Sequence, residues 1–157
     1  STIDGVASLT LSQNQGVRIV SDGVNYSTVR GRSTTLVGVF GVTLFATDVG
    51  KPQFINVFYN GTITSWTIIA DAAGSASVDV WFIAGTAPPA NPPVPTVTNK
   101  ISASAPIAIT SAQSAAGGTT EISTWTKALT QWGMLAFNLS SMTTSTKVFV
   151  QIQVQRS

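Results

Sequence analysis

Chemistry in this chain has to be done with few parts. There are six acidic residues, eight basic ones, no His and no Cys among 157 residues. The absences remove thiol nucleophiles, disulfides, Ser–His triads and metal sites built on imidazole or thiolate. What remains is carboxylate chemistry, and Asp71 and Asp79 are the pair to consider. A glycosidase needs two carboxylates about 5–10 Å apart across a sugar-sized cleft. The sequence sets these two on either side of an expected hairpin. Asp71 opens the run Asp71-Ala72-Ala73-Gly74, where an Asp side chain bonds nearby backbone N–H groups as a matter of course. The structural role is therefore expected for Asp71, with a calcium site of carboxylate and carbonyl oxygens as the lesser reading. The expectation is a chain that is not an enzyme and has no cofactor and no metal.

Binding chemistry has more to work with. Trp66, Trp81 and Trp125 fall within strand-like segments, where burying about 150–250 Å² each makes them packing residues. Tyr59 and Trp132 stand beside loops. An aromatic ring there can stack on a sugar, with neutral amides and hydroxyls bonding its oxygens. Tyr59, Asn91, Asn99, Lys100 and Trp132 are accordingly the candidate ligand-binding residues. Nucleic acid is not expected as a partner. Arg18, Arg30 and Arg32 are the sole basic cluster, and a phosphate-binding surface needs a longer basic stripe.

The elements that must position these residues are strands. β-Branched residues dominate, helix formers are sparse, and no long segment shows a clean 3.6-residue period. The end of the chain alternates Val148, Val150, Ile152 and Val154 with Phe149, Gln151, Gln153 and Gln155, predicting one aliphatic and one largely amide face. Residues 77–83 alternate too, with Val78, Val80 and Phe82 on one face and Asp79, Trp81 and Ile83 on the other. Residues 36–46 form a nearly continuous apolar run, read as a strand buried on both sides. Asn60-Gly61 between residues 53–59 and 62–70 predicts a type I′ hairpin. The apolar phase slips between Ile63 and Trp66, which places a bulge near Ser65. Residues 6–11 and 17–20 read as short strands around a polar turn. Residues 84–99 hold five of the seven prolines and read as an extended surface loop. Residues 111–120 read as a small-residue loop. About eight to ten short strands with irregular connections predict a single domain, residues 1–157, with an all-β fold: an antiparallel, jelly-roll-like β-sandwich. No apolar stretch is long enough for a helix across a membrane, so membrane insertion is not expected.

The chain is 43% hydrophobic but only 9% charged, against about 25% charged in ordinary domains. Roughly a quarter of it is Ser and Thr, so neutral polar groups replace the ions. The row Gln151, Gln153, Gln155 is part of this. A monomer normally carries Lys or Glu on such a surface, because charge keeps β surfaces apart. Amides can instead pair across a symmetry axis without like-charge repulsion.

Several motifs occur in order. Gly61-Thr62-Ile63-Thr64-Ser65-Trp66 leads through Ala70-Asp71-Ala72-Ala73-Gly74 into Val78-Asp79-Val80-Trp81. A proline-rich loop and Pro106-Ile107-Ala108-Ile109-Thr110-Ser111-Ala112 follow. Ile122-Ser123-Thr124-Trp125-Thr126-Lys127-Ala128-Leu129, then Gly133-Met134-Leu135-Ala136-Phe137-Asn138-Leu139 and the alternating last strand, complete the set. Over residues 53–156 this resembles a β-sandwich domain of bacteriophage tail fibres and other virion appendages. Trp132 departs from the pattern, where a small or polar residue is expected, and residues 1–50 have no place in it. The resemblance implies a non-enzymatic receptor-binding module on the virion surface, a homotrimer, that contacts other virion proteins and attaches to a host surface glycan or other receptor. The alternative is a purely structural capsid decoration or fibre-tip trimerisation domain. In either case residues 1–15 are expected to connect to an upstream shaft or virion partner. The start at Ser1 fits removal of an initiator Met or a piece of a longer protein.

Overall fold

A computed structural model of the chain describes residues 36–86 and 93–157, together with the backbone of strands β1 (Val17–Ser21) and β2 (Tyr26–Arg30). Contacts divide the chain into two compact units, Ser1–Thr35 and Leu36–Ser157. In the first, β1 and β2 form an antiparallel hairpin that puts Arg18 and Arg30 on adjacent rungs. The predicted strand over residues 6–11, like Arg32 and residues 1–15, lies outside the described residues.

The second unit is built from β3 (Val37–Phe45), β4 (Gln53–Asn56), β5 (Gly61–Ile83), β6 (Ile107–Gly117), β7 (Ala128–Leu129), β8 (Met134–Thr143) and β9 (Lys147–Arg156). They make one antiparallel sheet of order β3-β9-β5-β8-β4, with β6 and β7 also paired to β5. The sheet curls into a half-barrel, and the only helices among the described residues are two short 3-10 turns. No described helix is long and apolar enough to cross a membrane.

Strand β5 is the spine. Its residues 61–70 pair with β9 and its residues 75–83 pair with β8. From Ile83 opposite Met134 to Gly61 opposite Arg156, β8 and β9 act as a single antiparallel partner broken by a short turn. The bulge expected near Ser65 is present, as a register shift between Ile63 and Ser65. It moves the inward phase from Ile63 to Trp66, Ile68 and Ala70. Inward residues of β9 (Val148, Val150, Ile152, Val154), β5 (Val78, Val80) and β8 (Leu135, Phe137, Leu139) have no exposed surface. Val57, Ile101, Ile122 and Trp125 pack on them from connecting segments, and Leu129 from β7. The Trp125 indole N–H donates to the Ala105 carbonyl (2.8 Å), tying two of these segments together.

Four expectations are corrected. Asn60-Gly61 does not close a hairpin: Gln53–Asn56 pairs with β8, and β5 starts independently at Gly61. Residues 71–74 do not turn the chain back, because β5 runs on through them. Residues 36–46 are not buried on both sides. Strand β3 is an edge paired with β9, with Phe40 and Leu44 inward and Val37, Val39 and Phe45 about half exposed. Residues 111–117 are strand rather than loop, their small side chains letting β6 lie along both halves of β5.

Candidate functional site

Three regions concentrate polar or exposed groups. The first is a corner where β5, β6 and the β8–β9 turn bend together. β5 shifts register against β6 between Ile69 and Gly74 and again before Ala76. Ser111 and Thr144 take left-handed backbone conformations (φ 50° and 71°). Side chains satisfy backbone groups that the bend removes from the ladder. Asp71 Oδ1 accepts the N–H groups of Thr146 (3.0 Å) and Lys147 (3.3 Å), and Oδ2 accepts the Thr146 hydroxyl. The Ser145 hydroxyl donates to the Ala72 carbonyl (2.8 Å), and the Ser111 N–H to Ser75 Oγ (3.1 Å). Gly74 lies so close to the Thr143 carbonyl that a Cβ has no room. Asp71-Ala72-Ala73-Gly74 is thus the knot of a bent sheet.

The Thr146 hydroxyl, followed by the backbone N–H groups of Lys147 and Thr146, holds the Asp71 carboxyl below its ordinary pKa. Glu121, which accepts the Gly118 N–H (2.8 Å), is lowered by backbone hydrogen bonds as well. A depressed folded-state pKa contributes stability that is full above the unfolded value, about 4, and is lost as pH falls through the folded one. With no His to titrate, the melting temperature is expected to be flat from about pH 5 to 8 and to fall below about pH 4. In Asp71→Asn the acid decline should be shallower; an unchanged acid limb in thermal melts would remove Asp71 from this role.

Asp71 and Asp79 are not brought together. The extended run from Gly74 to Asp79 alone spans about 17 Å at about 3.4 Å per residue, beyond the spacing of a glycosidase pair. Asp79 is instead paired with Lys100 (2.7 Å).

The second region is the end of the sheet formed by the loops before β5 and before β8. Trp132 N–H donates to the Val57 carbonyl (2.8 Å), Val57 N–H to the Gly133 carbonyl (2.9 Å), and Gln131 N–H to Asn60 Oδ1 (2.7 Å). These bonds hold Phe58, Tyr59, Asn60, Gln131 and Trp132 in one place. Phe58 is 63% exposed and Trp132 half-buried. Trp132 has φ 69°, a strained value for a bulky residue that only a fixed surrounding can maintain. Gly85 permits it, because the Trp132 carbonyl occupies the space a side chain there would need. Tyr59 is turned inward, stacked on Phe40 (5.4 Å between centroids), with the Arg156 guanidinium 4.7 Å from its ring centre. Partial burial raises its phenol pKa, and Arg156 opposes that shift.

The candidate residues therefore fall into separate groups. Tyr59 and Trp132 share this end, Tyr59 as a packing residue. Asn99 accepts the Thr96 N–H (2.9 Å) and closes a 3-10 turn, and Lys100 is bridged to Trp81 and paired with Asp79. No hydrogen bond or ring contact among the described residues joins those two to Tyr59 and Trp132. Asn91 lies outside the described residues. Phe58, Asn60 and Gln131 are absent from the expected set. The signal for them is an aromatic pair directly before Asn-Gly, concealed when residues 53–59 are read as a strand.

The third region is the outer face of β3, β9, β5 and β6. Its rungs are Val37–Gln155, Val39–Gln153–Ser65, Gly41–Gln151–Thr67–Ala116 and Thr43–Phe149–Ile69–Ser114. Val37, Val39, Phe45, Ile69 and Phe149 are exposed on it. A shallow hollow of about 310 Å³ lies between Thr43, Ile69, Phe149 and Lys147, with Asp71 at its rim.

Compared with protein-family models, curated proteins and solved structures, the chain gives no match.

Proposed function

We propose that the protein is a non-enzymatic domain of a bacteriophage tail fibre or related virion appendage. It assembles with copies of itself, a homotrimer by resemblance, and attaches the particle to a host surface receptor, a polysaccharide. We read the curled sheet as a jelly-roll-like sandwich in which β5 passes from one layer to the other at its bulged corner, as bent strands do in orthogonally packed sheets. The ordered motifs over residues 53–156 point to the family. The observation that carries attachment is the aromatic and amide end of the sheet. Phe58 and Trp132 supply apolar rings, Gln131 supplies a side-chain amide with donors and an acceptor, and Asn60 supplies amide donors beside the Oδ1 that holds the Gln131 N–H. That combination suits a neutral sugar, whose C–H faces stack on rings while its hydroxyls bond amides. Asp71 and Asp79 are both engaged by neighbouring groups, Asp71 by Thr146 and Lys147 at the corner and Asp79 by Lys100.

The test is a screen of bacterial polysaccharides and lipopolysaccharides. Saturable binding of at least one at or below about 1 mM, a Kd worth about −4 kcal/mol, is expected. No binding at that concentration sinks the attachment reading. The structural reading, a decoration or fibre-tip domain, is favoured by the uncharged outer face, which suits contact with protein. Sedimentation after deletion of residues 1–15 separates the two. Loss of assembly supports the structural reading, whereas a retained oligomer with retained glycan binding supports attachment.

A further inference from the structure

We propose that the outer face of β3, β9 and β5 is the surface on which a second copy of this chain docks. This deepens the reading of a self-assembling virion domain and rests on it.

The face fits itself. Along its rungs from Val37–Gln155 to Thr43–Phe149–Ile69, every outward side chain is uncharged. Among the described residues, charges enter this face at its corner end, where Lys147 and Asp71 have opposite sign. Copies that meet through these rungs therefore bring no like charges together there, which would otherwise cost several kcal/mol. Phe149 and Ile69 share one rung and are 41% and 49% exposed; Val39 and Val37 are 54% and 55% exposed. Glutamine amides stand between them as both donors and acceptors. They can be satisfied by the same amides of the other copy, as a buried polar group requires. Gln153 Oε1 already accepts the Ser65 hydroxyl (3.1 Å), which orients its Nε2 donors.

The size is also right. Nine residues at about 3.3 Å and three to four strands at about 4.8 Å give a plane of roughly 450 Å². With side-chain relief its accessible area is on the order of the 800 Å² per partner of a stable interface.

The experiment is sedimentation equilibrium of the full chain and of Ile69→Lys/Phe149→Lys, each at about 100 μM, with circular dichroism and thermal melts to verify the fold. Both side chains are outward, so the monomer fold should survive. Two unpaired ammonium groups set into the contact are expected to raise the dissociation constant by about a hundredfold or more and yield monomer. Val97→Lys, on a 66% exposed side chain of a 3-10 turn outside this face, should leave the oligomer intact. A monomeric wild type overturns the proposal. So does an oligomer that persists in the folded double variant, or one that dissociates equally in Val97→Lys. Glycan binding separates this failure from that of attachment: an oligomer with the expected variant response that binds no glycan preserves the interface and removes the receptor.

Discussion

Gly74→Val should unfold the larger unit at temperatures where the wild type is stable. The added Cβ meets the Thr143 carbonyl oxygen, and beyond it Ser145 Oγ (3.0 Å) and Thr144 Cβ (3.1 Å). None of these can yield cheaply. The carbonyl is backbone, Ser145 is buried and bonded to Ala72, and Thr144 is in a left-handed conformation. Overpacking of this kind costs about 3 kcal/mol or more where backbone must move, against a total of about 5–15 kcal/mol for a domain. Thermal melts by circular dichroism should show a fall of roughly 10 °C or more. A valine variant that melts within about 2 °C of the wild type would mean the corner is not packed as described.

Phe58→Ala/Trp132→Ala should remove receptor binding while leaving the fold. Phe58 is largely exposed, so its loss costs little burial. Trp132 is held through its backbone, by hydrogen bonding to Val57 and close packing on Gly85, and alanine keeps the N–H and C=O. What disappears is the pair of rings. Large aromatic anchors at binding surfaces are worth about 2 kcal/mol each on truncation, so affinity for the bound polysaccharide should fall about thirtyfold for either change. The double variant should show no binding at millimolar glycan. Unchanged affinity in a folded double variant would place the receptor site elsewhere on the molecule.

The sequence and the structure agree most where local pattern decides the outcome. The alternation from Val148 to Val154 reads directly as one buried face because a strand has a period of two. The bulge near Ser65 shows as a phase slip. What the sequence cannot show is which strands share an edge. Asn60-Gly61 has the chemistry of a hairpin turn, yet the strand before it pairs with β8, since Ile55 lies opposite Leu135. Asp71-Ala72-Ala73-Gly74 has the composition of a turn, and the chain bends there without reversing. The difference lies in the partners: β6 and the β8–β9 turn bend with β5, and they come from residues about 40 and 75 positions later. Residues 36–46 were opaque for another reason. An apolar run has the same composition whether covered on both faces or on one, and β3 leaves Val37 and Val39 uncovered.

The candidate site was half legible. Trp132 can be singled out as an aromatic beside a loop, but its left-handed conformation depends on Gly85 and on the Val57 carbonyl. Tyr59 has the right chemistry and the wrong orientation, because Phe40 and Arg156 offer it an inward stack. Phe58 is outward for the same reason.

The shortage of charge acquires a location. Gln151, Gln153 and Gln155 share one face of one sheet with the exposed Val37, Val39, Phe45, Ile69 and Phe149, a contiguous group unlike the single scattered hydrophobics of an ordinary surface. Its most direct test is the mass of the intact chain in solution, measured by sedimentation between about 50 and 500 mM sodium chloride, where screening changes severalfold. The expected result is a multiple of 16.3 kDa that does not change with salt, since the contact surface is neutral. A monomer of 16.3 kDa throughout, or an assembly that salt dissolves, would contradict the assignment of this uncharged face to assembly.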